Sequence, residues 1–158
     1  MIEFSQLILR LAVALVLGAG MGFERELAKK EAGIGTLLMV AGGAALFSIG
    51  ALSLPYLIAL SPEHLPAVIA GNSGFLNLIA NIAVGIGFIG AGIIVKNESH
   101  VHGLTTAAVI WFAGAVGVLA GIGMIELATI AAVAVSTLLY ILRSLNVAGR
   151  IQGPDHVE

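Results

Sequence analysis

Glu24-Arg25-Glu26, with Lys29, Lys30 and Glu31 close behind, places two carboxylates and a guanidinium at the end of an apolar, glycine-bearing stretch. Carboxylates in that position offer a gate or a cation site at a membrane boundary. The plainer alternative is a solvated helix extension in which Glu26 and Lys30 pair at i,i+4. Asn77 and Asn81 are one helical turn apart on a face that continues to Gly85. Amides there serve either as hydrogen-bonding glue between helices or as the polar lining of a path for an ion or small solute. Gly103-Leu-Thr105-Thr106 has the form of a helix start, where threonine hydroxyls can cap free N–H groups and the helix end can hold an anion. His100 and His102, with Glu98 nearby, suggest a metal, but two loop histidines without a fixed third ligand make a weak site, and any metal is unknown. No serine, histidine and carboxylate are spaced as a triad, so no enzymatic activity is expected, and no cofactor is implied.

These residues have to be positioned by elements that live in a bilayer. Of 158 residues 59% are hydrophobic and 10% are charged, against about 25% charged in an average soluble domain. The mean hydropathy is +1.08. A hydrocarbon core about 30 Å thick needs about 20 apolar helical residues, and the charged residues cut the chain into pieces of that length. The expected fold is an all-α integral membrane protein, a bundle of about five transmembrane helices: Phe4–Gly22, Gly33–Leu54, Phe75–Val95, Leu104–Gly121 and Met124–Leu142. Gly117, Gly121 and Gly123, followed by Glu126, mark the break between the last two. Pro55, Pro62 and Pro66 divide the loop between spans two and three, whose apolar residues suggest an interfacial or re-entrant piece.

With five spans, six of the seven basic residues (Arg25, Lys29, Lys30, Lys96, Arg143 and Arg150) fall on one side. That asymmetry predicts the N-terminus outside and the C-terminus in the cytoplasm. Residues 1–143 then form one transmembrane domain and 144–158 a short cytoplasmic tail. The first span lacks a basic n-region and is too long for a signal-peptide core, so it is expected to remain as a helix. The net charge of −2 and the lack of a basic cluster exclude nucleic acid as an expected partner, and zero cysteines exclude disulfide and thiolate chemistry. Membrane lipid and a second copy of the chain are the expected neighbours, since closed two-fold assemblies are the commonest oligomers.

Within the spans, Arg10 is the oddest residue, two turns into the first helix with apolar neighbours on both sides. Such a group is usually paired, here with Glu3 or Glu126, unless it snorkels to the surface. Ala14, Gly18 and Gly22 form a small-residue stripe of the kind that packs helices. The third span carries Gly85, Gly87, Gly90 and Gly92, each costing a helix about 1 kcal/mol relative to alanine. They allow either close backbone approach or an unwound segment lining a polar cavity. Gly85 to Gly90 also fits G-x-G-x-x-G, which is rejected as a dinucleotide site because no strand or βαβ unit surrounds it.

The ordered set Arg10-Leu11, Gly18 to Gly22 leading into Glu24-Arg25-Glu26, Ala32-Gly33 with Thr36, Gly85-Ile-Gly-Phe-Ile-Gly-Ala-Gly92, and Gly103-Leu-Thr-Thr-Ala-Ala108 with Trp111 resembles the N-terminal membrane domain of the MgtC/SapB family. The resemblance implies a bacterial inner-membrane protein tied to magnesium limitation, acid tolerance and survival in host cells. It implies a regulator acting on other membrane complexes, with a small Mg²⁺ or H⁺ transporter or channel as the alternative. Carried over by position, Glu24, Arg25, Glu26, Thr36, Gly85, Gly87, Gly90, Gly92, Thr105 and Thr106 are its functional residues, beside Arg10, Asn77 and Asn81 from the reading above. The chain departs from the family pattern at Gly35, where relatives usually carry arginine, and at Asn77, where a basic residue is common. A C-terminal domain similar to an ACT fold, present in many relatives, is not expected here.

Overall fold

The computed structural model describes residues 3–59, 61, 63–71, 74–97 and 100–145. The chain forms helices α1 (Phe4–Leu27), α2 (Ile34–Ile58), α3 (Leu65–Gly71) and α4 (Gly74–Ile93). A short antiparallel hairpin follows, β1 (Val95–Asn97) with β2 (His100–His102), pairing Lys96 with Val101. Helices α5 (Leu104–Ile122) and α6 (Ile125–Ser144) complete it. Four of these, α1, α2, α5 and α6, are long and apolar enough to cross a membrane, which makes this an all-α membrane protein. The apolar part of α4, Asn77–Ile93, is shorter.

Helix α2 is apolar on every side and lies at the centre, packed against α1 on one flank and α5 on the other. Its interior residues are small: Ala41, Ala44 and Ala45 are buried, with Leu37, Ile110 and Val116 the large side chains that fill the remaining space. Ser48 is fully buried and donates to the Ala44 carbonyl at 2.8 Å, so its hydroxyl is satisfied within its own helix. Lipid is as apolar as these side chains, so close backbone contact has to supply much of the attraction between helices. A Cβ on Gly18 would stand 2.5 Å from the Leu37 carbonyl oxygen, and one on Gly22 would collide with the Ile34 backbone. On the other flank Gly117 abuts the Ala41 carbonyl and Gly121 the Ala45 carbonyl. The stripe in α1 is therefore a packing seam, as its spacing suggests.

Pro55 lies inside the last turn of α2, which continues to Ile58 instead of ending at Leu54. Between α2 and α4 the apolar loop forms α3, only seven residues long; Pro62 lies outside the described residues. The α5–α6 break falls at Gly123, whose φ of 97° lies in the left-handed region that glycine reaches most easily. There the Gly123 N–H donates to the Ala120 carbonyl and the Met124 N–H to the Leu119 carbonyl, closing the helix end.

Three expectations are corrected. Helix α4 runs unbroken through Gly85, Gly87, Gly90 and Gly92, so its glycines do not unwind it. Only Gly90 meets a neighbour, the Ala107 Cβ at 3.4 Å, while a Cβ on Gly85, Gly87 or Gly92 would meet nothing within 4 Å. Arg10 pairs with neither Glu3 nor Glu126. Its Nη1 donates to the Gly121 carbonyl at 3.2 Å, and its guanidinium packs on Gly123, so it caps the C-terminal end of α5 where the helix dipole is negative. Glu26 and Lys30 do not form a helical pair, because α1 ends at Leu27.

Candidate functional site

At one end of the bundle the last turn of α1, the α1–α2 loop, the first turns of α2 and α5 and the last turn of α6 come together. Arg25 anchors this end. It is 4% exposed, and its Nη2 donates to Thr106 Oγ1 at 2.7 Å. A hydroxyl accepts and donates at once, and Thr106 Oγ1 passes its own hydrogen to Glu31 Oε2 at 3.1 Å. One threonine thus links α1, the loop and α5.

Glu26 works on α2. Its Oε2 accepts from the Ile34 N–H at 3.1 Å, supplying the cap that Gly33 at the helix boundary has no side chain to provide. A Cβ on Gly33 would collide with that carboxylate. Glu24 faces α6, its Oε1 3.7 Å from Arg143 Nη1. Its other oxygen, Oε2, and Arg25 Nε are buried without a hydrogen-bond partner among the described residues. Two carboxylates therefore serve helix N-termini, Glu26 at α2 directly and Glu31 at α5 through Thr106, where the dipole favours negative charge.

Glu31 is held below the usual carboxylate range, first by hydrogen bonding to its own backbone N–H, then by the Thr106 hydroxyl, with Lys30 and Arg25 adding to it. A depressed carboxylate stabilises the fold above its unfolded value, and that contribution is lost as pH falls through the folded one. Acid titration of the folded protein is therefore expected to loosen the α1–α2 loop as pH falls through the lowered folded value of Glu31. In a Glu31→Gln variant, amide exchange in this loop should lose that acid dependence; unchanged acid dependence would refute the assignment.

Of the residues selected from sequence, Glu24, Arg25, Glu26 and Thr106 meet at this end. Thr36 and Thr105 lie on the adjoining first turns of α2 and α5, exposed and without side-chain hydrogen bonds among the described residues. Neither Thr105 nor Thr106 caps α5, whose boundary residue is Gly103. Arg10 sits at the opposite end. Asn77 and Asn81 are exposed on α4, twelve or more residues from its end at Ile93, so about 18 Å or more separates them from the charged end. Neither makes a hydrogen bond among the described residues, so they are not glue between helices of this chain. A groove of about 550 Å³ between α2 and α4 takes in Asn81 and Gly85, but its walls are otherwise apolar, with Phe47, Ile86 and Ile89 among them. Glu98 and the His100 side chain lie outside the described residues, and among those described no three ligating side chains cluster.

Sequence reasoning missed two contributors. Glu31 reads as one more loop charge and Arg143 as a marker of orientation. No local pattern signals either, because Glu31 meets Thr106 and Arg143 meets Glu24 only across segments far apart in the chain.

Buried small-residue seams and a cluster of charges spent at helix ends define a polytopic helical membrane protein. The MgtC family profile matches residues 11–148, and the chain belongs to the MgtC family. It is 39% identical over 135 residues to Protein MgtC of Brucella abortus, covering 85% of this chain and 50% of that protein. With Protein MgtC of Salmonella typhimurium it shares 37% over 136 residues, 86% of this chain and 52% of the relative. An uncharacterized Synechocystis protein, slr0014, is 37% identical over 144 residues, 91% of this chain and 55% of its own length. The chain thus spans about half the length of these relatives. No solved structure matches.

Proposed function

We propose that this protein is a non-enzymatic regulator in the bacterial inner membrane, acting by contact with another membrane protein complex during magnesium limitation, acid stress or life inside a host. The observation that carries the reading is where the polar groups go. Arg25, Thr106, Glu31 and Glu26 are engaged in fastening helix ends to one another, and the interior between α1, α2 and α5 is packed with alanine and glycine. A transport path needs polar groups lining a continuous wet space. Glu24 and Glu26 stand at one end, whereas Asn77 and Asn81 stand well along α4 beside an apolar groove.

The proposed topology has five crossings, with α4 included because its 20 residues reach about 30 Å. Arg25, Lys29, Lys30, Lys96 and Arg143 then share the cytoplasmic side, and the N-terminus is outside. Thr36 and Thr105, exposed beside the fastened charges, are available to a partner on that side.

Cation or proton transport is the competing reading, favoured by one observation: Glu24 Oε2 is buried without a hydrogen-bond partner among the described residues. The test is uptake and efflux of Mg²⁺ and H⁺ by purified protein in sealed liposomes, beside a Glu24→Gln/Asn81→Ala variant. The expected result is no flux above empty liposomes for either. Flux that the variant loses overturns the regulator reading.

A further inference from the structure

Helix α4 presents to the outside a face that its own chain leaves uncovered. Asn77, Asn81, Val84, Phe88 and Ala91 follow one another at steps of four, three, four and three residues, and all five are exposed. Val84 is 72% and Phe88 82% exposed, so this is the side opposite Ile86 and Gly90, which face α5. A 3.5-residue repeat keeps one seam against a partner helix when the two supercoil left-handedly. Apolar side chains on such a seam are content with lipid. The two amides are not, because hydrocarbon offers no donor or acceptor, and neither amide has a partner among the described residues.

We infer that this seam is the interface with a second copy of the chain, α4 against α4 about a two-fold axis along the membrane normal. An asparagine amide both donates and accepts, so two copies of Asn81 related by the axis satisfy each other, and likewise two of Asn77. An acyl chain could cover Val84 and Phe88 but leaves all four amides unpaired. The same geometry accounts for the glycines that the fold of one chain does not use. Gly85, Gly87 and Gly92 flank the seam, with nothing within 4 Å of a Cβ at any of them. In a pair they let the backbones approach and leave room for the partner's Phe88 ring. The α2–α4 groove, which Asn81 and Gly85 border, is continuous with this surface. The inference rests on the proposed crossing of the bilayer by α4 and is independent of what the charged end does, since the seam lies on another helix.

The chain contains no cysteine, so single cysteines report without background. Val84→Cys and, as a control on an equally lipid-exposed helix, Ile130→Cys on α6 are expressed in native membranes and oxidised. The expected result is a disulfide-linked homodimer for Val84→Cys and little for Ile130→Cys. Adding Asn77→Leu and Asn81→Leu to Val84→Cys is expected to weaken association about fivefold for each amide pair lost, read by dilution in liposomes. These side chains point away from the core, and an unchanged helical circular dichroism spectrum verifies the fold of each variant. No cross-link at Val84, equal cross-linking at Ile130, a cross-link to a protein of different mass, or full association without the amides each overturns the inference.

Discussion

Gly117→Val is expected to be the most damaging single substitution in the chain. Any Cβ at this position meets the Ala41 carbonyl and Cα, which belong to the backbone of the central helix and have no rotamer to move to. The α2–α5 seam must open, taking Gly121 off the Ala45 carbonyl, which a Cβ at that position would meet at 2.7 Å, and away from Ser48. Overpacking of this kind costs about 3 kcal/mol, and in a bilayer no hydrophobic gain returns it, since the separated helices simply meet lipid. Gly20→Ala is the matched contrast. It sits in α1 with nothing within 4 Å of its Cβ position, so it should be neutral or stabilise by up to about 1 kcal/mol through helix propensity. Both are measured by reversible unfolding in mixed detergent micelles followed by circular dichroism. A Gly117→Val cost below about 1 kcal/mol, or a Gly20→Ala cost as large as that of Gly117→Val, would contradict the packing assigned to this seam.

The second large effect is expected at Thr106. Thr106→Val keeps the shape of the side chain and removes only its hydroxyl, which leaves the buried Arg25 Nη2 without its acceptor and takes from Glu31 the donor that ties it to α5. Hydrogen bonds to charged groups are worth about 1.5–3 kcal/mol, and a guanidinium at 4% exposure has little water to turn to. The expected loss is about 2 kcal/mol, with faster amide exchange in residues 28–33, because the loop is tied to α5 through this hydroxyl. Thr106→Ser should recover most of both. Equal behaviour of the serine and valine variants would mean that packing, and not the relay, holds this end. Arg25→Lys should fail to rescue function or stability, since an ammonium cannot reproduce the planar fork of the guanidinium.

Much of this architecture was legible because bilayer thickness acts on composition. A stretch near 20 apolar residues has one stable conformation in hydrocarbon, so Arg25, Lys96 and Glu126, with the prolines Pro55, Pro62 and Pro66, divided the chain into helices. Small residues four apart in α1 could be read as a seam because helices in lipid have few other ways to adhere. The glycines of α4 were harder. Four of them in one segment fit close approach and unwinding equally, and local sequence does not state which face meets a neighbour.

The sequence by itself determined that this chain lives in a membrane as a helical bundle and that the break between the last two helices falls near Gly123. It also determined family membership, since motifs in fixed order carry that information without coordinates. Only the tertiary structure decided the partners of the polar groups. Arg10 caps α5 instead of pairing with a glutamate, Thr106 bridges Arg25 and Glu31 across 75 or more positions, and Asn77 and Asn81 face outward. Periodicity fixes which residues share a face of one helix. Which two faces meet depends on backbone contacts such as Gly117 on Ala41, formed between segments far apart in the chain, and no local pattern encodes those.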